Sequence, residues 1–193
     1  MTLTPSTMLD LGTEAPSFTL ADPEGNSFDL SKQQIERGLL VIFMCNHCPY
    51  VIHIREQLVQ RIREYQGQGI TVVAINSNDY ITHPDDSPER MAQDAKKFGY
   101  TFPYLVDEAQ QVARAYQAAC TPDLYLFDQD RKLVYRGQFD SARPGNTTPV
   151  SGDDLTAAVA QMLEGKEIQV VQQPSMGCNI KWKAGNEPSY FGS

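Results

Sequence analysis

Leu39-Leu40-Val41-Ile42-Phe43-Met44-Cys45-Asn46-His47-Cys48-Pro49 runs from a wholly apolar segment into a proline, with two cysteines between. Leu39 to Phe43 has the length and composition of a strand buried on both faces. After Pro49 come Val51, Ile54, Leu58, Ile62 and Tyr65, spaced by three, four, four and three, which is the stripe of an amphipathic helix. Proline suits the first helical position, where an N–H would have no helical acceptor, so Cys48 is predicted to cap the helix. Unpaired N–H groups and the helix dipole favour an anion at that end. The thiolate is the nucleophilic form of cysteine, so this place suits an attacking sulfur.

Outward from this segment the signals alternate between strand and helix. Phe18-Thr19-Leu20 and Ser27-Phe28-Asp29-Leu30 flank Pro23-Glu24-Gly25-Asn26 and predict a β-hairpin. Downstream, Gly67 and Gly69 close the helix, and Ile70 to Ile75 reads as a second buried strand. Asn76 to Ser87 is polar and reads as a loop; His83, Asp85 and Asp86 there could bind a cation, but acids in a Pro-containing loop read more simply as solvated turn residues. Pro88 opens a helix with Met91, Ala95 and Phe98 on one face, ended by Gly99. Tyr104 to Val106 is a short strand, followed by a helix over about Ala109 to Tyr116. Leu124 to Phe127 and Leu133 to Tyr135 form a second hairpin about Asp128 to Arg131, and a helix after Ser151 ends near Gly165. The order predicts an α/β domain with a mixed sheet over 1–165. The extension 166–193 has little periodicity and is expected to pack on that domain.

The chain has 193 residues, 41% hydrophobic and 21% charged, ordinary values for a soluble globular protein. A net charge of −8 disfavours nucleic acid or an anionic membrane as the main partner. Met1 to Leu11 carries no basic residue and no useful apolar stretch, and Leu39 to Cys45 is too short to span a bilayer, so a cytoplasmic location is expected. Cysteines stand at 45, 48, 120 and 178 only. In a reducing compartment such sparse thiols point to catalytic or metal-binding work rather than to structural bridges.

Two residues separate Cys45 from Cys48, a spacing that lets the sulfurs close a disulfide. A cationic His47 beside Cys48 would favour the thiolate and make the disulfide a stronger oxidant. One pKa unit is about 1.4 kcal/mol, roughly 30 mV for a two-electron couple. The alternative is that His47 is only a solvated loop residue. A Cys-x-x-Cys pair can also be half of a zinc site, with His47, Cys120 or Cys178 contributing, but the chain has no second Cys or His pair. The expectation is therefore redox work, with no metal and no organic cofactor. Cys120 reads either as a small buried apolar group or as an auxiliary thiol. Cys178 is either buried by the tail or a resolving thiol.

A cysteine pair between strand and helix resembles the thioredoxin superfamily. Ala15-Pro16-Ser17-Phe18-Thr19-Leu20, followed by Gly25, resembles its alkyl hydroperoxide reductase/thiol-specific antioxidant branch. Ala119-Cys120-Thr121-Pro122-Asp123-Leu124-Tyr125-Leu126-Phe127-Asp128 is similar to the thioredoxin segment whose cis-proline faces the active cysteine, and Pro122 takes that place. Pro174 to Lys183 resembles the tail of a peroxiredoxin-like subgroup. The resemblance implies a thioredoxin-like fold: a mixed central sheet flanked by helices, with an N-terminal β-hairpin and a C-terminal tail.

The departures depend on register. With Cys45 as the first thioredoxin cysteine, Met44 replaces the usual Trp and Leu39 the buried Asp. With Cys48-Pro49 in that place the helix starts correctly, and Val51 takes the position of the usual second cysteine. Pro49 favours the second register. Peroxiredoxins carry a Thr three residues before their peroxidatic cysteine and a Pro four residues before that; here Cys45 and Val41 hold those places. Pro122 stands where peroxiredoxins use an Arg.

The function expected is thiol–disulfide exchange with a protein or small-molecule disulfide or thiol as partner. Cys48 attacks, Cys45 resolves the mixed disulfide, Pro122 shapes the groove and His47 tunes the potential. The alternatives are a peroxiredoxin-like thiol peroxidase using Cys48, with an antioxidant role, and a thioredoxin-shaped binding module without turnover.

Overall fold

A computed structural model describes residues 3–191. Strands β1 (Leu3–Pro5), β2 (Thr19–Ala21), β3 (Ser27–Asp29) and β4 (Gly38–Phe43) lead into helix α1 (Pro49–Gly67). Then follow β5 (Ile70–Asn76), α2 (Pro88–Phe98), β6 (Tyr104–Val106) and the short α3 (Gln111–Ala115). The chain continues through β7 (Cys120–Thr121), β8 (Asp123–Asp128), β9 (Leu133–Tyr135), α4 (Asp153–Leu163) and β10 (Met176–Asn179). Among the described residues no helix is long and apolar enough to cross a membrane.

The main sheet has seven strands in the order β3-β2-β6-β5-β4-β8-β9. β4 lies at its heart, parallel to β5 (Gly38 opposite Ile70) and antiparallel to β8 (Phe43 opposite Asp123). All six of its residues are buried, as the unbroken apolar run requires. Its side chains alternate between two cores. Leu40 and Ile42 meet the α1 stripe of Val51, Ile54, Leu58, Ile62 and Tyr65, together with Leu155, Ala158 and Val159 of α4. Leu39, Val41 and Phe43 face the other layer with Val112, Ala113 and Tyr116. Each fully buried Leu, Ile or Val contributes about 1.5–3 kcal/mol, so the stripe holds α1 against the sheet and fixes where its first turn falls. This mixed sheet between helical layers is a thioredoxin-like arrangement.

A second, smaller sheet leaves no signal in the sequence. β1, β10 and β7 form three antiparallel strands, with Leu3 opposite Cys178 and Cys178 opposite Thr121. These strands have two to four residues each, too few for an alternating pattern to show. The polar segment after β5 also departs from expectation. Asn76, Ser77, Asn78, Asp79 and Asp86 are all buried, and Pro84–Asp86 is a single turn of 3-10 helix. At these five positions the polar side chains meet internal hydrogen bonds rather than solvent; Asp85 is exposed, as expected.

Candidate active site

Pro49 opens α1 and Cys48 is its N-cap, with extended backbone (φ −66°, ψ 121°). The backbone N–H of Val51 and that of Cys178 both point at the Cys48 sulfur. The Thr121–Pro122 bond is cis. Thr121 meets both cysteines of the pair: its carbonyl accepts from the protonated form of Cys48 Sγ at 3.1 Å, a bond given up on ionisation, and its hydroxyl lies 3.5 Å from Cys45 Sγ.

The two thiols titrate apart. Hydrogen bonding from the Cys45 thiol holds the Cys48 sulfur down to about 5, with help from Thr121, Val51 and Cys178 and against the cost of burial. The thiol of Cys45 is raised instead, by its own burial first and then by donating to Cys48. The environment thus favours the thiolate at Cys48 and the thiol at Cys45. The peroxiredoxin Thr position, here Cys45, keeps a donor to the sulfur but makes that donor a second thiol.

Asp86 is the residue that sequence reasoning missed. It was expected to be solvated, yet it is fully buried. Oδ1 accepts from the backbone N–H of Asn46 (2.8 Å) and of His47 (3.3 Å). Oδ2 accepts from Asn78 Nδ2 (2.7 Å) and pairs with His47 Nδ1 at 2.6 Å. Asp86 thus clamps the loop between the two cysteines, and the His47 ring stacks on His83 at 5.4 Å. The charge of His47 is matched by this carboxylate, and Cys45, not His47, makes the largest contribution to lowering Cys48. The only sequence signal was Asp86 three residues from His83 in a loop rich in Asn and Asp.

The linkage has a definite sign. The hydrogen bond from His47 to Asp86 raises the His47 pKa above 6.5, with burial opposing. Burial works to raise Asp86, but hydrogen bonds from His47 and Asn78 outweigh it and leave the carboxyl below 3.8. The histidine contribution is complete below about 6.5 and is lost as pH rises through the raised value; the aspartate contribution is complete above about 4 and lost on acidification. Stability from the pair is therefore largest between about pH 4 and 6.5. His47→Gln is expected to cost about 1–2 kcal/mol at pH 6 and to flatten the decline above pH 6.5, as measured by urea denaturation across pH. A decline as steep as that of the wild type would show that His47 does not titrate with folding.

Cys45, His47 and Asp86 bring ligand atoms within 4.8 Å of one another. Each Asp86 oxygen already accepts two protein donors, so a cation here would have to break the clamp. The cluster is built as a hydrogen-bond hub. Cys120 is fully buried, and burial raises its thiol well above the usual value. Its sulfur faces the carbonyls of Pro122 (3.6 Å) and Ser175 (3.9 Å), which suits the small-apolar-group reading. Cys178 is brought to Cys48 by β10; burial first, then its hydrogen bond to Cys48, lifts its thiol to about 12. All four cysteines are buried and none is joined in a disulfide.

Two solved structures share nearly the whole chain. A hypothetical protein from Sinorhizobium meliloti 1021 is 52% identical, covers 94% of this chain and 100% of its own, and superposes with a TM-score of 0.92. A conserved protein from Geobacillus kaustophilus is 48% identical over 95% of this chain and 97% of its own, also with a TM-score of 0.92. The thiol-disulfide oxidoreductase ResA of Geobacillus thermodenitrificans is 28% identical over 130 residues, 67% of this chain and 70% of that protein. The family model described as AhpC/TSA matches residues 11–136, from before the β2–β3 hairpin to just beyond β9 and so across Cys45, Cys48 and Pro122. Cys48 at the helix cap and the cis Thr121–Pro122 bond beside it therefore both lie within the matched region, and the chain belongs to the AhpC/TSA family.

Proposed function

We propose that the protein is a thiol–disulfide oxidoreductase in which Cys48 is the attacking thiolate. The observation that carries this reading is the convergence of donors on one sulfur: the Cys45 thiol and the backbone N–H groups of Val51 and Cys178 all stabilise its negative charge. Similarity to ResA supports the same chemistry. In this reading Cys48 attacks a disulfide and forms a mixed disulfide with one half while the other leaves as thiolate. Cys45, adjacent, gives its proton to the thiolate that has left and attacks the Cys48 sulfur; the bond from Cys48 to the bound half breaks and that half leaves as thiolate. Pro122 shapes the groove, and it adds no N–H of its own beside the sulfur. His47 tunes the pair through the Asp86 clamp. A peroxidase would place a cationic donor where Pro122 stands, so disulfide exchange fits the site better.

Dithiothreitol-driven insulin reduction tests the reading, with Cys45→Ala as the informative variant. Loss of the S–H donor is expected to raise the Cys48 pKa by about one to two units, read as the midpoint of iodoacetamide alkylation against pH. Insulin reduction is expected to fall together with that shift. Turnover and midpoint both unchanged in Cys45→Ala would remove Cys45 from the reaction.

A further inference from the structure

The face of Cys48 that a substrate would approach is already covered. Cys48 is 0% exposed, although it caps a helix whose first residue, Pro49, is open to solvent. The cover is β10, which pairs antiparallel with β7 so that Cys178 lies opposite Thr121 and Asn179 opposite Cys120. The approach is close enough to demand glycine: a Cβ on Gly177 would lie 2.0 Å from the Thr121 carbonyl oxygen. One residue on, Cys178 sets both its backbone N–H and its thiol against the Cys48 sulfur. An extended segment, hydrogen-bonded to the residue before the cis-proline, thus presents a cysteine to the attacking cysteine.

Both ends of that segment are fastened. Before it, the Ser175 carbonyl accepts from Ser6 N–H (2.8 Å) and its hydroxyl donates to the Gly137 carbonyl (2.9 Å). After it, Lys181 N–H donates to Asn78 Oδ1 (2.8 Å) and its carbonyl accepts from Asp79 N–H (2.8 Å). Asn78 also donates to Asp86, so the strap and the cysteine loop share one network.

We propose that β10 is a tethered pseudosubstrate that closes the groove in the reduced protein, and that Cys178 captures Cys48 in an intramolecular disulfide that locks it. The proposal rests on the exchange chemistry assigned to Cys48. A low-molecular-weight disulfide, RSSR, reacts with the Cys48 thiolate to give Cys48–S–SR and RS⁻. A small R group lets the strap reseat, so Cys178 rather than Cys45 attacks the Cys48 sulfur; a protein half in the groove keeps the strap off and leaves the resolving step to Cys45. The Cys48–SR bond breaks, RS⁻ leaves, and the Cys178 proton is taken up by a departing thiolate. The sum is RSSR, one protein thiolate and one protein thiol giving one protein disulfide, RSH and RS⁻. The lock forms under oxidising conditions and opens when a dithiol reduces it.

The test is peptide mapping of the wild-type protein after treatment with oxidised glutathione and acid quenching. A Cys48–Cys178 cross-link as the main product is expected. A Cys45–Cys48 cross-link with Cys178 free, or glutathione left on Cys48, would overturn the proposal. In Cys178→Ser, glutathione on Cys48 or a Cys45–Cys48 bond is expected. If neither forms, it is the exchange reading itself that fails. Amide hydrogen exchange over 176–179 needs no variant and is expected to slow about tenfold or more on oxidation. Unchanged exchange would argue against a lock. In Gly177→Val, folding being checked by near-ultraviolet dichroism, alkylation of reduced Cys48 and insulin reduction are each expected to rise about tenfold or more as the strap lifts. Wild-type rates in that variant would show that β10 does not gate the site.

Discussion

Cys48→Ser is expected to slow the reaction of the reduced protein with oxidised glutathione at pH 7 about tenfold or more, even though three thiols remain. The loss follows from ionisation and access. Hydrogen bonding lowers Cys48 towards the thiolate. Removing Cys48 also removes the hydrogen bond and charge that help raise Cys178, but burial, the largest cause, remains and keeps that thiol protonated and covered. A more basic thiolate is a better nucleophile, with a Brønsted slope near 0.45, and this recovers only part of the deficit. Cys45 and Cys120 are also raised by burial and offer no better route. Stopped quench with mass analysis of the glutathionylated protein gives the rate. A loss of less than about threefold would assign the reactive thiolate to another sulfur.

Asp123→Ala is expected to destabilise the fold more than any substitution at the thiols. Asp123 and Arg136 are both fully buried, paired through Asp123 Oδ2 and Arg136 Nη2 at 3.1 Å. The guanidinium also lies 4.2 Å from the centre of the Tyr125 ring and donates to the Gln117 carbonyl. Deleting the carboxylate leaves a buried cation without its counter-charge, which costs about 3–5 kcal/mol. For a domain of this size that is a fall of about 10 °C in Tm. Replacing both partners, as in Asp123→Leu with Arg136→Met, is expected to recover most of the loss, because two desolvated charges are removed together. Thermal and urea denaturation measure both variants. A cost below about 1 kcal/mol for Asp123→Ala would mean that Arg136 finds another partner or solvent. Asp123 directly follows Pro122, so the pair also fixes the edge on which β10 lies.

The elements set by local pattern were legible in the sequence. The apolar run gave β4, the three-and-four spacing with Pro49 gave α1, and together they placed Cys48 at the helix cap. Those signals are strong because burial is periodic along a single segment, and six-residue β4 and nineteen-residue α1 are long enough for the period to show. The cis Thr121–Pro122 bond and its place against Cys48 were implied by family resemblance alone. Tertiary structure decided what joins the sulfur. Asp86 reads as one more acid in a polar loop, and its role exists only because α1 and the β5–α2 loop meet at His47. β10 has four residues with no alternation, and it becomes a strand only because Thr121 offers an unpaired edge and Gly177 lets the backbones approach. Cys178 gains its neighbour across 130 residues of chain, by backbone hydrogen bonds that no side-chain pattern records.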